Sequence, residues 1–465
     1  MSGRVVVLGG GIAGLTAAFR RATPGETTIL EASARLGGSI RTIRDDGFVV
    51  ESGPNTIRTT AAAERLLEDL GLEPDVVLAD PSAPRWIVRG GRPRAIVPGP
   101  KGIFNEALST SGKLRLLGDW RVPRRPDSLE DESVHDFFVR RFGEDAATYG
   151  AGPMVSGVYA GDPRSLSVRS AFPHLWEAEG RSGSVIRDFL KGGFSFKRNP
   201  DGTKAPRFRP RTLNLTRGLF QMVEALSMKL TDAGARIETG TAAAALEGPR
   251  RDAPGRRWTV RTADGRAFDA DVVVSTLDAQ ATAALLDGKL PRSRDLLAEI
   301  PSAPVSTVVF AFRPGSPDSA PKGFGALVPR TESIRSLGIL YPASLFTGRA
   351  PAGAALTTSF LGGALDPGAA ALPDAELAAL ALREVRQLHP FLTADPDRHW
   401  ITRWPKAIPQ LPLGHHRTMT ALEADLADLS REAGVDGTLV LTGGWRDGIA
   451  LGARIDRGES IGRAL

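Results

Sequence analysis

Short runs of consecutive β-branched and aliphatic residues, closed by glycine or a polar turn, recur along the chain. Residues 4–8 (RVVVL) set the pattern: successive apolar positions suit a strand covered on both faces. The stretch 9–14 (GGGIAG) interrupts the run, and residues 12–21 continue with helix formers and one apolar face. A turn at 23–26 (TPGE) leads to a second strand at 27–30 (TTIL), which ends in Glu31. The opening therefore predicts a β-α-β unit, the building block of a parallel sheet. Residues 271–276 (DVVVST) and 438–442 repeat the buried-strand pattern, and the latter runs into Gly443-Gly444 and a last helix.

Elsewhere the pattern predicts helices at 61–70, closed by Gly71, and at 219–230, with strands at 48–50 and 236–238. A hairpin joins 258–261 to 267–269 through Asp264-Gly265. From 85 to 211, prolines, tryptophans and arginines intersperse helical stretches at 129–142 and 165–176. Residues 191–217, rich in Gly, Pro, Lys and Arg, predict a mobile basic loop. Between 305 and 400, strand-like runs (VSTVVFAF, ALTTSFLGG) alternate with an Ala-rich helix at 375–388.

The motif Gly9-x-Gly11-x-x-Gly14 falls between a strand and a helix, with an acid at the end of the next strand. Glycines at 9 and 11 permit a tight turn and close approach of a pyrophosphate to the N–H groups of a helix N-terminus. Gly14 lets helix and sheet pack closely, and Glu31 falls where a ribose diol would bind. The combination predicts a dinucleotide site.

Composition narrows the chemistry. The 465 residues predict two or three domains. No cysteine occurs, which excludes disulfides, thiolate zinc sites, iron–sulfur clusters and thiol nucleophiles. The net charge of +6 suits an anionic ligand or membrane surface better than dedicated nucleic-acid binding. The six histidines suggest neither a catalytic triad nor a metal site, and His415-His416 is expected on a loop in a structural or surface role. With neither 18 consecutive apolar residues nor a secretory h-region, a cytoplasmic location is expected, with peripheral membrane association left open.

Glu31-Ala32 continues into Arg35-Leu36-Gly37-Gly38-Ser39, which resembles the FAD-dependent flavoproteins of the amine oxidase and phytoene desaturase superfamily. Residues 47–55 (GFVVESGPN) resemble its second flavin-contacting strand and loop, and 443–451 (GGWRDGIAL) its C-terminal flavin-facing segment. Within that superfamily, 156–176 (SGVYAGDPRSLSVRSAFPHLW), 323–329 (GFGALVP), 337–351 (LGILYPASLFTGRAP), 359–363 (SFLGG) and 404–415 (WPKAIPQLPLGH) closely resemble the protoporphyrinogen oxidases. One departure stands out: where the family often has GVG-N-D-C, this chain has Ala450 for the middle glycine and Ala453-Arg454 for Asp-Cys.

The resemblance implies an α/β fold: a Rossmann-like FAD-binding domain (1–84, 212–285, 404–465) interleaved with a mixed-sheet substrate domain (286–403). Residues 85–211 would supply the edge of the substrate domain and a helical, membrane-binding-type insertion with the basic loop. The implied reaction is FAD- and oxygen-dependent six-electron oxidation of protoporphyrinogen IX to protoporphyrin IX in haem biosynthesis. Three rounds of hydride transfer to flavin would yield hydrogen peroxide as by-product and need no obligatory protein acid or base. Coproporphyrinogen III oxidation by the same machinery is the alternative, its four propionates favouring a more basic pocket. A non-catalytic carrier of the same fold is more remote.

Carried over by position, the FAD contacts are Gly9, Gly10, Gly11, Ile12, Ala13, Gly14, Glu31, Ala32, Arg35, Gly38, Gly53, Pro54, Asn55, Thr56, Ala243, Gly444, Ile449, Ala450 and Leu451. The substrate contacts are an apolar clamp of Leu327, Leu340 and Phe360, with Gly157 leaving room for the ring, and Arg94 as the cation for a propionate. Lys101 is the fallback cation. The implied partners are a porphyrinogen and molecular oxygen, with a homodimer left open and no nucleic acid. Phe194, Phe196 and Phe208 among the cations of 191–217 suit either anionic lipid or a solvated surface.

Overall fold

The computed structural model describes residues 3–21, 23–96, 106–191, 208–250, 252, 257–313, 320–434 and 437–465. Its first sheet has five strands in the order Arg236–Glu238, Thr27–Leu30, Val5–Leu8, Val272–Ser275, Leu439–Leu441, and every pairing is parallel. Val5–Leu8 lies at the centre with all four side chains buried, which its unbroken apolar run anticipates.

The first helix, Ile12–Arg20, lies along the last, Leu451–Ala464, and both run in the same direction. A Cβ built on Gly458 comes 2.6 Å from the Ala13 carbonyl, and one on Gly462 meets the Ala17 carbonyl one turn on. Two glycines four residues apart present one face of the last helix without side chains, so the backbones touch.

The second sheet is mixed and has seven strands: Arg398–Pro409, Ser302–Phe312, Ala355–Gly362, Gly338–Leu340, Gly325–Leu327, Arg85–Arg89 and Arg92–Ile96. One face packs Val308, Phe310, Ala326, Ile339 and Leu361 against Leu377, Leu380, Ala381 and Val385 of helix Asp374–Leu388. The opposite face presents Val309, Ala311 and Leu356 to Phe48 and Val50 of the hairpin Thr42–Asp45/Phe48–Glu51. Beyond that hairpin the same face meets helix Gly152–Tyr159, part of a helical cluster that buries Phe137, Val155, Val168 and Trp176.

Four local expectations are corrected. The helix expected over 129–142 is Val134–Phe142, opened by Ser133, whose hydroxyl accepts from the Asp136 N–H. The one expected over 165–176 is two, Val168–Ala171 and Pro173–Ser182, because proline disfavours a helical residue before it and Phe172, at φ −133° and ψ 58°, leaves the helical conformation. Within the expected basic loop, Thr212–Leu215 is a strand between Ile57–Arg58 and Val76–Leu78; residues 192–207 lie outside the described residues. His415-His416 opens helix His415–Ala433 instead of lying on a loop.

Candidate cofactor and substrate site

The C-terminal ends of the first sheet's strands open on one edge, the place where open α/β sheets bind ligands. Gly9 leaves the central strand at φ +102°, a conformation that a side chain disfavours, and its N–H donates to the Leu30 carbonyl. Gly11 caps the first helix with no side-chain hydrogen bond, so the first-turn N–H groups point outward. A Cβ at Gly11 would meet nothing within 4 Å, whereas one at Gly14 would strike the Gly9 carbonyl and Val7. Space therefore lies in front of the helix, and close packing behind it. Gly38 forms the facing wall, 3.4 Å from the Gly11 Cα to a Cβ built there. Ile12 and Ala13 bury the first helical turn against the core.

Glu31 is fixed from several directions. Its Oε2 accepts from the Gly10 N–H at 2.8 Å, and its Oε1 from the N–H and hydroxyl of Ser33 at 2.9 and 2.6 Å. Its backbone joins Glu238 and Thr241, which places Ala243, two residues further, at the same end of the sheet beside the exposed Ala32. Arg35 has its donors on the carbonyls of Leu36, Gly38 and Ile40, so it shapes the facing wall from behind.

The segment Gly53–Thr56, with Pro54 and Asn55, bridges the two sheets. A Cβ at Gly53 would run into the Ser39 carbonyl, and Asn55 Nδ2 donates to the Gly53 carbonyl. The Ser52 carbonyl accepts from Trp404 Nε1 at 2.9 Å and Thr307 Oγ1 at 3.2 Å, both in the second sheet. Behind this loop Glu51 is buried, which pushes its carboxyl up against hydrogen bonds from the Leu219 N–H, Thr42 and Asn214 that pull it down. From the far end, Gly444 reaches the same seam: a Cβ there would lie 3.2 Å from Pro409 of the second sheet. Ile449 and Ala450 lead into Leu451 and the last helix, whose start also lacks a side-chain cap.

The residues expected to contact substrate fall on one transverse row of the second sheet. Arg94 pairs with Ile87, Ile87 with Leu327, Leu327 with Gly338, Gly338 with Phe360, and Phe360 with Thr307. Laterally paired residues project from the same face, so Arg94, Leu327, Phe360 and Thr307 share the face that meets Ser52. Gly338 leaves a narrow gap between Leu327 and Phe360, partly filled by Leu327, whose Cδ2 lies 3.4 Å from a Cβ built on Gly338. Leu340, two residues along Gly338's strand, stands at the end of that gap on the same face. Phe360 is the one residue of its eight-residue strand that is not buried, and Leu327 and Leu340 are likewise the open residues of theirs. Gly157 backs the row, since a Cβ there would strike Leu327. Arg94 is exposed; its neighbour Arg89 is engaged by Asp145 and by the ring of Tyr149, and Arg85 lies over Phe324. Lys101 lies outside the described residues.

Sequence reasoning singled out neither Gly338, Thr307 nor Trp404. Gly338 lay within the matched stretch 337–351, but only strand register shows that it separates the two clamp residues. Among the described residues no group of three or more potential metal ligands occurs, and no helix is long and apolar enough to cross a membrane.

A glycine-walled cradle in front of a helix start, an acid at the end of the neighbouring strand, and a second sheet facing the cradle define a dinucleotide-dependent oxidoreductase of two interlocked sheets. Comparison with known proteins is specific. Residues 12–455 match the flavin containing amine oxidoreductases, and the chain belongs to that family, with FAD as its cofactor. The chloroplastic protoporphyrinogen oxidase of Oryza sativa subsp. japonica is 32% identical over 476 residues, covering 98% of this chain and 87% of that protein. The coproporphyrinogen III oxidase of Bacillus subtilis (strain 168) is 28% identical over 485 residues, covering 98% and 96%. The structure of cyclohexylamine oxidase from Brevibacterium oxydans IH-35A has the same fold, with a TM-score of 0.68, 17% identity, and 99% and 98% coverage. The expected likeness to protoporphyrinogen oxidases is borne out.

Proposed function

We propose that the chain oxidises protoporphyrinogen IX to protoporphyrin IX with FAD and molecular oxygen, releasing hydrogen peroxide. The observation that carries this reading is the gap over Gly338. Adjacent strands lie about 4.8 Å apart, so Leu327 and Phe360 are separated by roughly 9.6 Å. With Leu327 Cδ2 leaning over Gly338, one flat ring standing on edge fits there, with contacts of about 3.5–4.0 Å on both sides, once the leucine turns aside. Leu340 limits how far the ring slides, and Arg94 at the end of the row holds a propionate.

FAD, held by the residues carried over above, supplies a two-electron acceptor, so six electrons require three turnovers. The chain's own task is to orient the macrocycle and exclude water. Pyrrole protons leave to solvent, and the wall residues Leu327, Leu340 and Phe360 carry no titratable group. The rice relative supports the protoporphyrinogen reading, and the Bacillus relative the coproporphyrinogen one. The cation count favours the former. With Arg85 and Arg89 engaged, Arg92 and Arg94 remain on that edge strand among the described residues, which suits two propionates better than four.

Assaying purified protein with each porphyrinogen under air tests the proposal. A higher kcat/KM for protoporphyrinogen IX is expected; preference for coproporphyrinogen III replaces the substrate, and turnover of neither overturns the reading. Peripheral contact with the cytoplasmic membrane face completes the proposal. It is supported by Leu190, 73% exposed at the edge of the basic segment, and is checked by co-sedimentation with anionic vesicles.

A further inference from the structure

Arg454 stands one turn inside the last helix, where relatives often place cysteine, and its guanidinium has no hydrogen bond or ion pair with any described residue. It is partly buried. Its Nη2 lies against the Cα of Gly444, whose own surroundings include Pro409 of the second sheet. The nearest carboxylate is committed elsewhere: Asp447 pairs with Arg457 at 3.3 Å and accepts from the Thr442 hydroxyl and the Gly443 N–H. A guanidinium stays protonated under all ordinary conditions. Partly buried without a protein partner, it carries part of its desolvation cost uncompensated, and an anionic occupant of the space beside it removes that cost.

The position of Arg454 selects the occupant. The first and last helices run parallel, so both N-termini point into one crevice. Glu31 anchors the adenosine end at the far side of the first sheet, and Gly9–Gly14 takes the pyrophosphate. The remaining half of the dinucleotide, its flavin, must extend the other way, to the seam where Gly444, Gly53 and the second sheet meet. The flavin ring gains negative charge on two-electron reduction, delocalised over its pyrimidine edge.

We propose that Arg454 supplies the counter-charge for the reduced flavin and thereby raises its reduction potential. The residue touches the cofactor and tunes it; it transfers no proton. The inference rests on FAD binding, not on which porphyrinogen is oxidised, and its test needs no porphyrinogen.

Arg454→Gln and Arg454→Lys holoproteins are compared with the unmodified one by potentiometric titration and by titration with sulfite, an anion that adds to oxidised flavin and leaves the ring negatively charged. Arg454→Gln should weaken sulfite binding about tenfold or more and lower the midpoint potential by about 30 mV per tenfold for this two-electron couple. Arg454→Lys should restore most of both. In the unmodified holoprotein the potential should change by about 30 mV per pH unit around neutrality, one proton for two electrons. That arm stands even if Arg454→Gln fails to fold. Weaker FAD retention with unchanged potential and sulfite affinity would move the guanidinium to the pyrophosphate and overturn the proposal. A slope of twice that size, showing a neutral reduced ring, would overturn it equally.

Discussion

Gly157 lies directly against a δ-methyl of Leu327, so that any side chain at 157 must displace the leucine. The helix Gly152–Tyr159 therefore sets where one wall of the proposed substrate gap stands. Gly157→Val should push Leu327 toward the gap and lower kcat/KM at least tenfold, with FAD content unchanged. Overpacking of this kind costs about 1–3 kcal/mol of stability. Unaltered kinetics in a folded, yellow variant would show that Leu327 does not bound the substrate.

Phe360 tests the other wall. A ring lining an open gap costs little to truncate, whereas a buried phenylalanine costs about 3–5 kcal/mol. Phe360→Ala is expected to reduce kcat/KM with Tm nearly intact. A large fall in Tm with normal specific activity would return Phe360 to the core cluster of Ala160, Val305 and Leu337 that it adjoins.

The cradle makes a colorimetric prediction. Because a Cβ at Gly11 meets no protein atom, Gly11→Val should fold normally. The space it fills is the one assigned to the pyrophosphate in the proposed function, so the purified variant should be colourless. Stoichiometric FAD in its absorption spectrum would relocate the phosphate site.

Arg94→Ala should act mainly on KM, raising it about 10- to 100-fold for the loss of one charge-assisted contact, with kcat little changed. Steady-state kinetics decide this, and Arg92→Ala serves as the comparison on the same strand.

A pH prediction comes from the core of the second sheet. His389 Nε2 and the Tyr341 hydroxyl form a buried hydrogen bond of 2.8 Å, and burial pushes His389 down to about 4. In the unfolded chain histidine titrates near 6.5. Between those values the unfolded chain binds a proton that the folded chain does not, so stability falls as pH drops through this window. The contribution lost between pH 7 and 5 is about 2 kcal/mol. Urea unfolding at both pH values should show it, and His389→Phe should flatten the difference.

The first sheet was legible because its information is local: four apolar residues, then glycines, then a helix, all within residues 4–21. The same holds for the helix Asp374–Leu388 and the hairpin turning at Asp264-Gly265. The substrate row was legible only as names carried over from relatives. Its geometry depends on Gly325–Leu327 pairing in parallel with Arg85–Arg89, partners far apart in sequence that no periodicity reveals. Thr212–Leu215 stayed hidden for the same reason, being too short to show a pattern and held by strands near residues 57 and 77. The two corrected helices show a different limit: Ser133 and Pro173 were visible, but the helix-forming residues around them outweighed the signals.

The two parallel helices impose an order of events on biosynthesis. The proposed phosphate wall comes from residues 9–14, while the helix that backs it through Gly458 and Gly462 is translated only after the whole middle of the chain. While the ribosome is still adding the middle of the chain, the first helix has no partner for its glycine-facing side, and the seam around Gly444 does not exist. Stable cofactor capture thus waits until the helix Leu451–Ala464 has emerged and docked, and before then the growing polypeptide is colourless, with an open crevice.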